Sequence, residues 1–529
     1  MIPDGMAMLH TLIPELILTI GGIVVLLTSF RRARQEDDGA WKLALTTLLV
    51  TLWWTWRRTT PTDEPVATLH ADSLVFYARM VTLCIGGLIF LACRSVPEPQ
   101  ERSEFFSLLL FSLAGISLVT VANDLILLFL ALELVSVPTY ILIGLSRRDL
   151  RAQEATGKYF FLGAFAAAIM LYGFSFLYGA AGTTQLYPTP DSPTSIAAVL
   201  ELPSRAADKL FVLGLLLSLV GLAFKLAAVP LHFYVADVYQ GAASPVTGLL
   251  GFVPKFAGFL AFIRLLTMTG WSFADGLFWL LWAMAAATML VGNTLALMQQ
   301  NIKRMLAYSS VAHSGYMLVA LLAGPATAGA GATGPLSDGI SALLFYMAVY
   351  GVMNLGAFAA LTYFRKSGED EEDTAETLDD LAGAGRRHPW SSLALAICVL
   401  SLMGMPPTGG FFGKLYVFSA ALSCSADSPR HLAMIVLVVF GVLNAAIAAA
   451  YYLRIVAACY LRPASEVSAV RYASSCGALR TCLLICAIFV MLVFLRPSVL
   501  LSPSRAAVAD MTPAHASPSN TITIGQTKE

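Results

Sequence analysis

Charge is the scarcest feature of this chain. Asp, Glu, Lys and Arg make up 12% of the 529 residues, and 33 basic side chains are matched by 33 acidic ones. That balance leaves no basic field for nucleic acid and no acidic field for a cationic partner. The eight cysteines include no CxxC pair and no spacing suited to an iron–sulfur cluster, and most lie in apolar runs where a thiol packs as a small hydrophobe. No GxGxxG follows a strand pattern, and GxxxxGK[ST] is missing. The chain by itself is expected neither to oxidise a nucleotide nor to hydrolyse one.

What is present is hydrocarbon. Apolar residues reach 57% and mean hydropathy is +0.74, far above a soluble average, so the bilayer is the natural solvent. A crossing helix needs about 20 apolar residues, and runs of that kind occur near 7–30, 41–57, 72–94, 104–121, 123–145, 157–180, 209–232, 243–267, 273–298, 303–323, 338–364, 390–423, 432–460 and 478–496, about fourteen spans. The first run ends in Arg31, Arg32 and Arg34 without a cleavage site, which reads as a retained span. Loops after odd-numbered spans hold most of the arginine and lysine, among them Arg147, Arg148, Lys303, Arg386 and Arg387, and those after even-numbered spans hold few. The positive-inside rule makes the odd loops cytoplasmic and both termini extracytoplasmic.

Two spans carry internal breaks: span 7 in AFKLAAVPLHFYVADVYQGAASP and span 12 in SLMGMPPTGGFFGKLYVF. Spans 4–8 and 9–13 are each sets of five whose fourth member holds a proline break with a lysine nearby. An odd number per set makes the two copies insert with opposite topology, the inverted-repeat plan of secondary transporters. The expected fold is therefore an all-α membrane protein, divided into a three-helix segment (1–103), a first repeat (104–267), a second repeat (268–462) and a last span with a polar tail (463–529). The acidic linker Glu369–Asp380 reads as a solvated loop, and the tail beyond Ser502 as frayed.

Ionisable residues inside apolar sequence carry the chemistry. Glu133 is deep within span 5, Lys225 stands in broken span 7, Lys255 in GLLGFVPKFAGFLAF and Lys414 just after the span 12 break. An intramembrane charge is costly unless paired or neutralised. Burial favours a neutral amine and a neighbouring carboxylate favours the ammonium, so moving the counter-charge makes such a lysine take up or release a proton. His313 lies mid-helix beside Ser309 and Ser310, and His232 follows Pro230; both suit a water-linked relay. Asp124 and Asp237, nearer helix ends, suit capping or interfacial roles.

With these residues in view, the chain resembles the antiporter-like subunits of respiratory complex I and of multisubunit cation/proton antiporters, over roughly residues 7–500. LIPELILTIGGIVVLL, FLALELVSVPTYILIGLSRRDLRAQEATGKYFFLGAF, NIKRMLAYSSVAHSGYMLVAL and MPPTGGFFGKLYVF are most similar to the N family of proton-translocating NADH:quinone oxidoreductase subunits, more than to the sister L and M families. The resemblance implies a Glu133–Lys225 pair on the entry side, Lys255 as central relay and Lys414 in a second half-channel. It also implies a bacterial inner-membrane location and redox chemistry in partner subunits, which hold FMN, iron–sulfur clusters and the quinone site. Neighbouring antiporter-like and small membrane subunits are the implied partners. A sodium/proton antiporter subunit is the alternative, and an inert membrane scaffold the reading that needs no chemistry.

Overall fold

The computed structural model describes residues 8–28, 38–57, 69, 72–189, 192–200, 209–271, 274–325, 337–366, 376–424, 428–463, 470–472 and 476–509. Within them the chain is built from helices: α1 (Ile13–Leu27), α2 (Gly39–Arg57), α3 (Ser73–Cys93), α4 (Arg102–Val121), α5 (Leu125–Ser146), α6 (Leu150–Ala181), the short α7 (Ile196–Leu200), α8 (Lys209–Lys225), α9 (Val235–Gly241), α10 (Ser244–Thr267), α11 (Asp275–Leu297), α12 (Ile302–Ala323) and α13 (Gly339–Tyr363). There follow the short α14 (Ala384–Arg387), then α15 (Pro389–Met403), α16 (Gly409–Leu422), α17 (His431–Tyr460), α18 (Gly477–Leu495) and α19 (Ser498–Ala509). Two three-residue strands, β1 (Phe364–Lys366) and β2 (Val470–Tyr472), pair antiparallel with Phe364 opposite Tyr472.

Ten of these helices are long and apolar enough to cross a bilayer unaided. Helices α1 and α2 and the broken pairs α8/α9 and α15/α16 fill the other expected places. Helix starts follow the capping logic of short polar side chains: Asp72, Asp124, Asp149, Asn301 and Asp338 each accept a hydrogen bond from a backbone amide of the first turn. Asp124 thus caps α5, as its place at a helix end suggested.

Burial divides the bundle. The apolar windows of α10 and α13 are 100% enclosed, whereas those of α17 and α6 are 33% and 39% enclosed. A helix apolar on every side is stable only when surrounded, and α10, α12 and α13 form that centre. Most of the polar residues of interest lie on these three enclosed helices and at the two breaks, with partners supplied by α5, α11 and α17.

Two expectations about loops are corrected. The tail does not fray at Ser502: α19 runs on to Ala509, with Ser504, Ala507 and Val508 buried, and packs on α3 and α13. Its small side chains let the helix approach closely and bury an apolar face, a gain that composition alone did not show; residues 510–529 lie outside the described residues. The acidic linker is no merely solvated loop either. Residues 369–375 lie outside the described residues, but Glu376 docks on the start of α12 through its carbonyl, which accepts from Ile302 N at 2.7 Å, and through its side chain, as set out below.

Candidate functional site

At the first break α8 stops at Lys225 and the chain resumes helix only at Val235. Pro230 supplies no amide and its ring clashes with the preceding turn, so the ladder cannot continue. The freed backbone groups are satisfied by side chains of neighbouring helices: Tyr234 Oη donates to Phe224 O at 2.8 Å, Ser314 Oγ to Leu226 O at 2.6 Å, and Val229 N to Thr288 Oγ1 at 2.9 Å. Lys225, buried at the end of α8, points at α5, where its Nζ donates to Glu133 Oε1 at 3.4 Å and to Ser136 Oγ. The expected Glu133–Lys225 contact between neighbouring helices is therefore present.

The centre is built around Ser310 on α12. Lys255 Nζ on α10 donates to its Oγ at 2.5 Å and also to its carbonyl, and Tyr350 Oη on α13 donates to Oγ at 2.8 Å. With both lone pairs engaged, the Ser310 hydrogen is directed to Tyr239 Oη, 3.1 Å away. Ser314 Oγ, bound to Leu226 O, also lies 3.3 Å from Ser310 O, which links the residue after Lys225 to the Lys255 cluster. No carboxylate lies within ion-pair distance of Lys255 among the described residues.

One turn on, buried His313 is held at both ring nitrogens. Nδ1 lies 2.6 Å from Tyr346 Oη and Nε2 3.0 Å from Tyr452 Oη, and Tyr452 also bonds Ser309 Oγ. A neutral imidazole offers one donor and one acceptor. Because both partners are hydroxyls, either tautomer is satisfied by turning the two O–H bonds, and the ring can pass a proton in either direction.

At the second break α15 ends at Met403 and α16 begins at Gly409. Lys414 Nζ reaches back to Met403 O at 2.7 Å and Leu402 O at 3.1 Å, carbonyls that have no intrahelical partner at the end of α15, and it stands 4.9 Å from the centroid of Tyr316. A helix C-terminus carries partial negative charge, which suits an ammonium. Gly413 allows the approach of the histidine cluster: a Cβ there would stand 2.3 Å from the Tyr346 ring. The network continues through Asn293, whose Nδ2 donates to Tyr316 Oη at 3.2 Å and whose Oδ1 accepts from Tyr451 Oη at 3.1 Å.

Five of the six expected residues, Glu133, Lys225, Lys255, His313 and Lys414, thus fall along one buried polar axis. His232 does not join it. It lies in the first break with Nδ1 unpartnered among the described residues, and none of the hydrogen bonds that build the axis reaches it. The tyrosines of α13 and α17 carry no signal of their own in the sequence, although Tyr346 and Tyr350, four apart in a helix with few other polar side chains, stand on one face.

A second polar layer closes one end of the axis. Lys303, fully enclosed, donates to Ala242 O at 2.9 Å, and Glu376 Oε1 lies 3.2 Å from Lys303 Nζ and 3.1 Å from Arg147 Nη1. Asn301 Nδ2 donates to Glu376 Oε2 at 3.2 Å. Burial pushes the Glu376 carboxyl up, but Lys303 and Arg147 outweigh it and hold it below the usual carboxylate range. Asp237 beside it pairs with Arg304 at 2.7 Å and Lys158 at 2.9 Å. Toward the opposite ends of these helices Arg264 pairs with Asp72 at 2.7 Å and Arg79 with Glu15 at 2.8 Å.

Known proteins share this fold. The profile of the family described as NADH:quinone oxidoreductase/Mrp antiporter, TM, matches residues 122–447. The chain is 37% identical to NADH-quinone oxidoreductase subunit N of Trichlorobacter lovleyi over 467 residues, 87% of this chain and 88% of that one. It superposes on a chain of respiratory complex I from Thermus thermophilus with bound aureothin at TM-score 0.73 and 29% identity, covering 93% of this chain and 99% of that one. A chain of the Mrp complex from Dietzia sp. DQ12-45-1b gives TM-score 0.73 at 21% identity, covering 95% and 97%, a likeness of fold alone. Its relatives of known structure are thus chains of multisubunit membrane complexes, and this chain belongs to the NADH-quinone oxidoreductase subunit N family of antiporter-like membrane proteins.

Proposed function

We propose that the chain translocates protons as a membrane subunit of NADH:quinone oxidoreductase, with no redox centre of its own. The observation that carries this reading is the axis itself: three enclosed lysines with hydroxyls and one imidazole packed between them, only the first facing a carboxylate among the described residues. A proton arriving at the Glu133–Lys225 pair changes the field felt by Lys255, and the Ser310, Tyr350 and His313 groups offer reversible hydrogen bonds toward Lys414. Energy comes from electron transfer in partner subunits that hold FMN, iron–sulfur clusters and quinone. The division at 104–267 and 268–462 into inverted repeats is part of the proposal; it is supported by the matching positions of the two breaks. So are a bacterial inner-membrane location, extracytoplasmic termini, contacts to neighbouring antiporter-like and small membrane subunits, and cytoplasmic placement of the Glu376 layer. Higher identity to the oxidoreductase subunit than to the Mrp chain favours this over a sodium/proton antiporter role.

The test uses the assembled complex in sealed vesicles. Lys225→Met should lower NADH-driven quinone reduction and proton uptake together, by about a hundredfold if the lysine acts as a proton-transfer group, while NADH oxidation by a soluble acceptor survives. Glu133→Gln with Lys225→Met removes both charges and should leave pumping absent. Normal proton uptake in that double variant would refute the relay and favour an inert ion pair.

A further inference from the structure

A groove of about 690 Å³ runs between α15 and α18, away from the relay, and its walls include Tyr363, Trp390, Ile397, Arg480, Leu484 and Met491. Apart from Arg480 and a few hydroxyl or indole groups near its mouth, the lining is hydrocarbon. Trp390 and Arg480 stand in the first turns of their helices, and one complete span, α17, separates the two helices, so both enter the bilayer from the same side. Arg386 and Arg387 precede Trp390 at that side. Arg480 lies 5.9 Å from the Tyr363 ring centroid and has no carboxylate partner among the described residues, and Trp390 is 82% exposed, as an interfacial anchor is.

We propose that this groove binds one anionic phospholipid, its phosphate on Arg480 and one acyl chain lying along α15 and α18. Length supports the assignment: from Arg480 to Met491 the helix rises about 16 Å, close to the ~15 Å of one hydrocarbon leaflet. Chemistry supports it too. A polypeptide segment without its own helix would need donors and acceptors along its whole length, and this groove has polar groups at one end only. A phospholipid has the complementary form, one anionic group above a featureless chain. The charge on Arg480 selects the headgroup, and the apolar walls hold the tail by dispersion contact and shape.

The experiment is lipid retention by the solubilised complex after exchange into nanodiscs of phosphatidylglycerol or phosphatidylcholine, read by mass spectrometry. Phosphatidylglycerol should be retained in preference; Arg480→Gln should lower its retention about fivefold, and Arg480→Lys should keep most of it. Leu484→Trp, which fills the groove, should reduce both lipids while NADH oxidation by a soluble acceptor is unchanged. Inorganic phosphate should not displace the lipid; displacement by phosphate alone would show a simple anion site and overturn the acyl-chain assignment. A photoreactive residue at position 488 should crosslink to lipid. Crosslinks to a neighbouring subunit, or equal phosphatidylglycerol retention by Arg480→Gln and the unsubstituted complex, would overturn the proposal, and if Arg480→Gln fails to assemble, unchanged retention in Leu484→Trp does so.

Discussion

At the first break Lys225 faces the Glu133 carboxylate at 3.4 Å; at the second, Lys414 faces, among the described residues, the Leu402 and Met403 carbonyls and the Tyr316 ring and no carboxylate. Lys414 reaches the free carbonyls at the end of α15, where the helix dipole is negative, whereas Lys225 leaves the carbonyls of its own helix end to Tyr234 and Ser314 and reaches across to Leu132 O, Glu133 and Ser136 of α5. Only the first meets a formal charge. A full charge at this distance acts more strongly than two dipoles and a quadrupole, so the first site is tied to one partner, whereas the second is held by backbone that no single substitution removes. The backbone conformations differ as well. The first break passes through Ala227 at φ 56°, a left-handed residue with a Cβ, whereas the second uses Gly404 at φ 87°.

The largest expected effect breaks the electrostatic half of this contrast. Lys225→Met leaves Glu133 uncompensated and should destabilise the chain by about 3 kcal/mol, the low end for a broken buried pair because Glu133 retains access to its surroundings. Lys414→Met strands no charge and should cost about 1 kcal/mol. Retention of the subunit in solubilised membranes against temperature measures both, and equal losses would mean that the carboxylate adds nothing.

The backbone half of the contrast predicts opposite signs for opposite substitutions. Gly404→Ala forces a Cβ into a left-handed conformation, 2.8 Å from Lys414 Cδ, and should cost about 1–2 kcal/mol. Ala227→Gly relieves the same strain and loses part of the gain to chain entropy, leaving a net stabilisation of under about 1 kcal/mol. The same thermal assay reads both, and a destabilised Ala227→Gly would show that the methyl group packs rather than strains.

The smallest effect concerns the end layer. Glu376 has a lowered folded-state pKa, so its contribution is present above the ordinary carboxylate value and is lost as pH falls through the lowered one. The Ile302 amide, which donates to Glu376 O, should stay protected relative to its intrinsic exchange rate at neutral pH and lose that protection only once the pH has fallen below the ordinary carboxylate range. In Glu376→Gln the protection should be weaker at neutral pH and lack this transition; a transition that persists would place the titrating group elsewhere, Asp380 first among the neighbours.

Spans, breaks and the rarity of intramembrane charge were legible because each rests on composition over a short stretch: apolar length, a proline without an amide, a lysine in hydrocarbon. The Glu133–Lys225 contact was legible as a need for compensation, and the family resemblance supplied the partner. Tyr346, Tyr350 and Tyr452 were not, since a tyrosine in an apolar helix satisfies itself equally at a lipid interface. Glu376 was hidden by its acidic neighbours; nothing local separates the one carboxylate that docks on Lys303 from those around it. His232 has the right chemistry beside a break, but which groups it meets is set by the packing around that break and not by its place in the sequence.

The sequence by itself determined the solvent, which stretches are apolar enough to enter it and where two of them break, because transfer of apolar side chains and the missing proline amide act within a few residues. Only the tertiary structure decided which polar groups meet. Ser310 receives Lys255 from α10 and Tyr350 from α13, and lies beside Tyr239 of α9; those groups converge because α10, α12 and α13 are enclosed on all sides and must satisfy their buried polar atoms on one another.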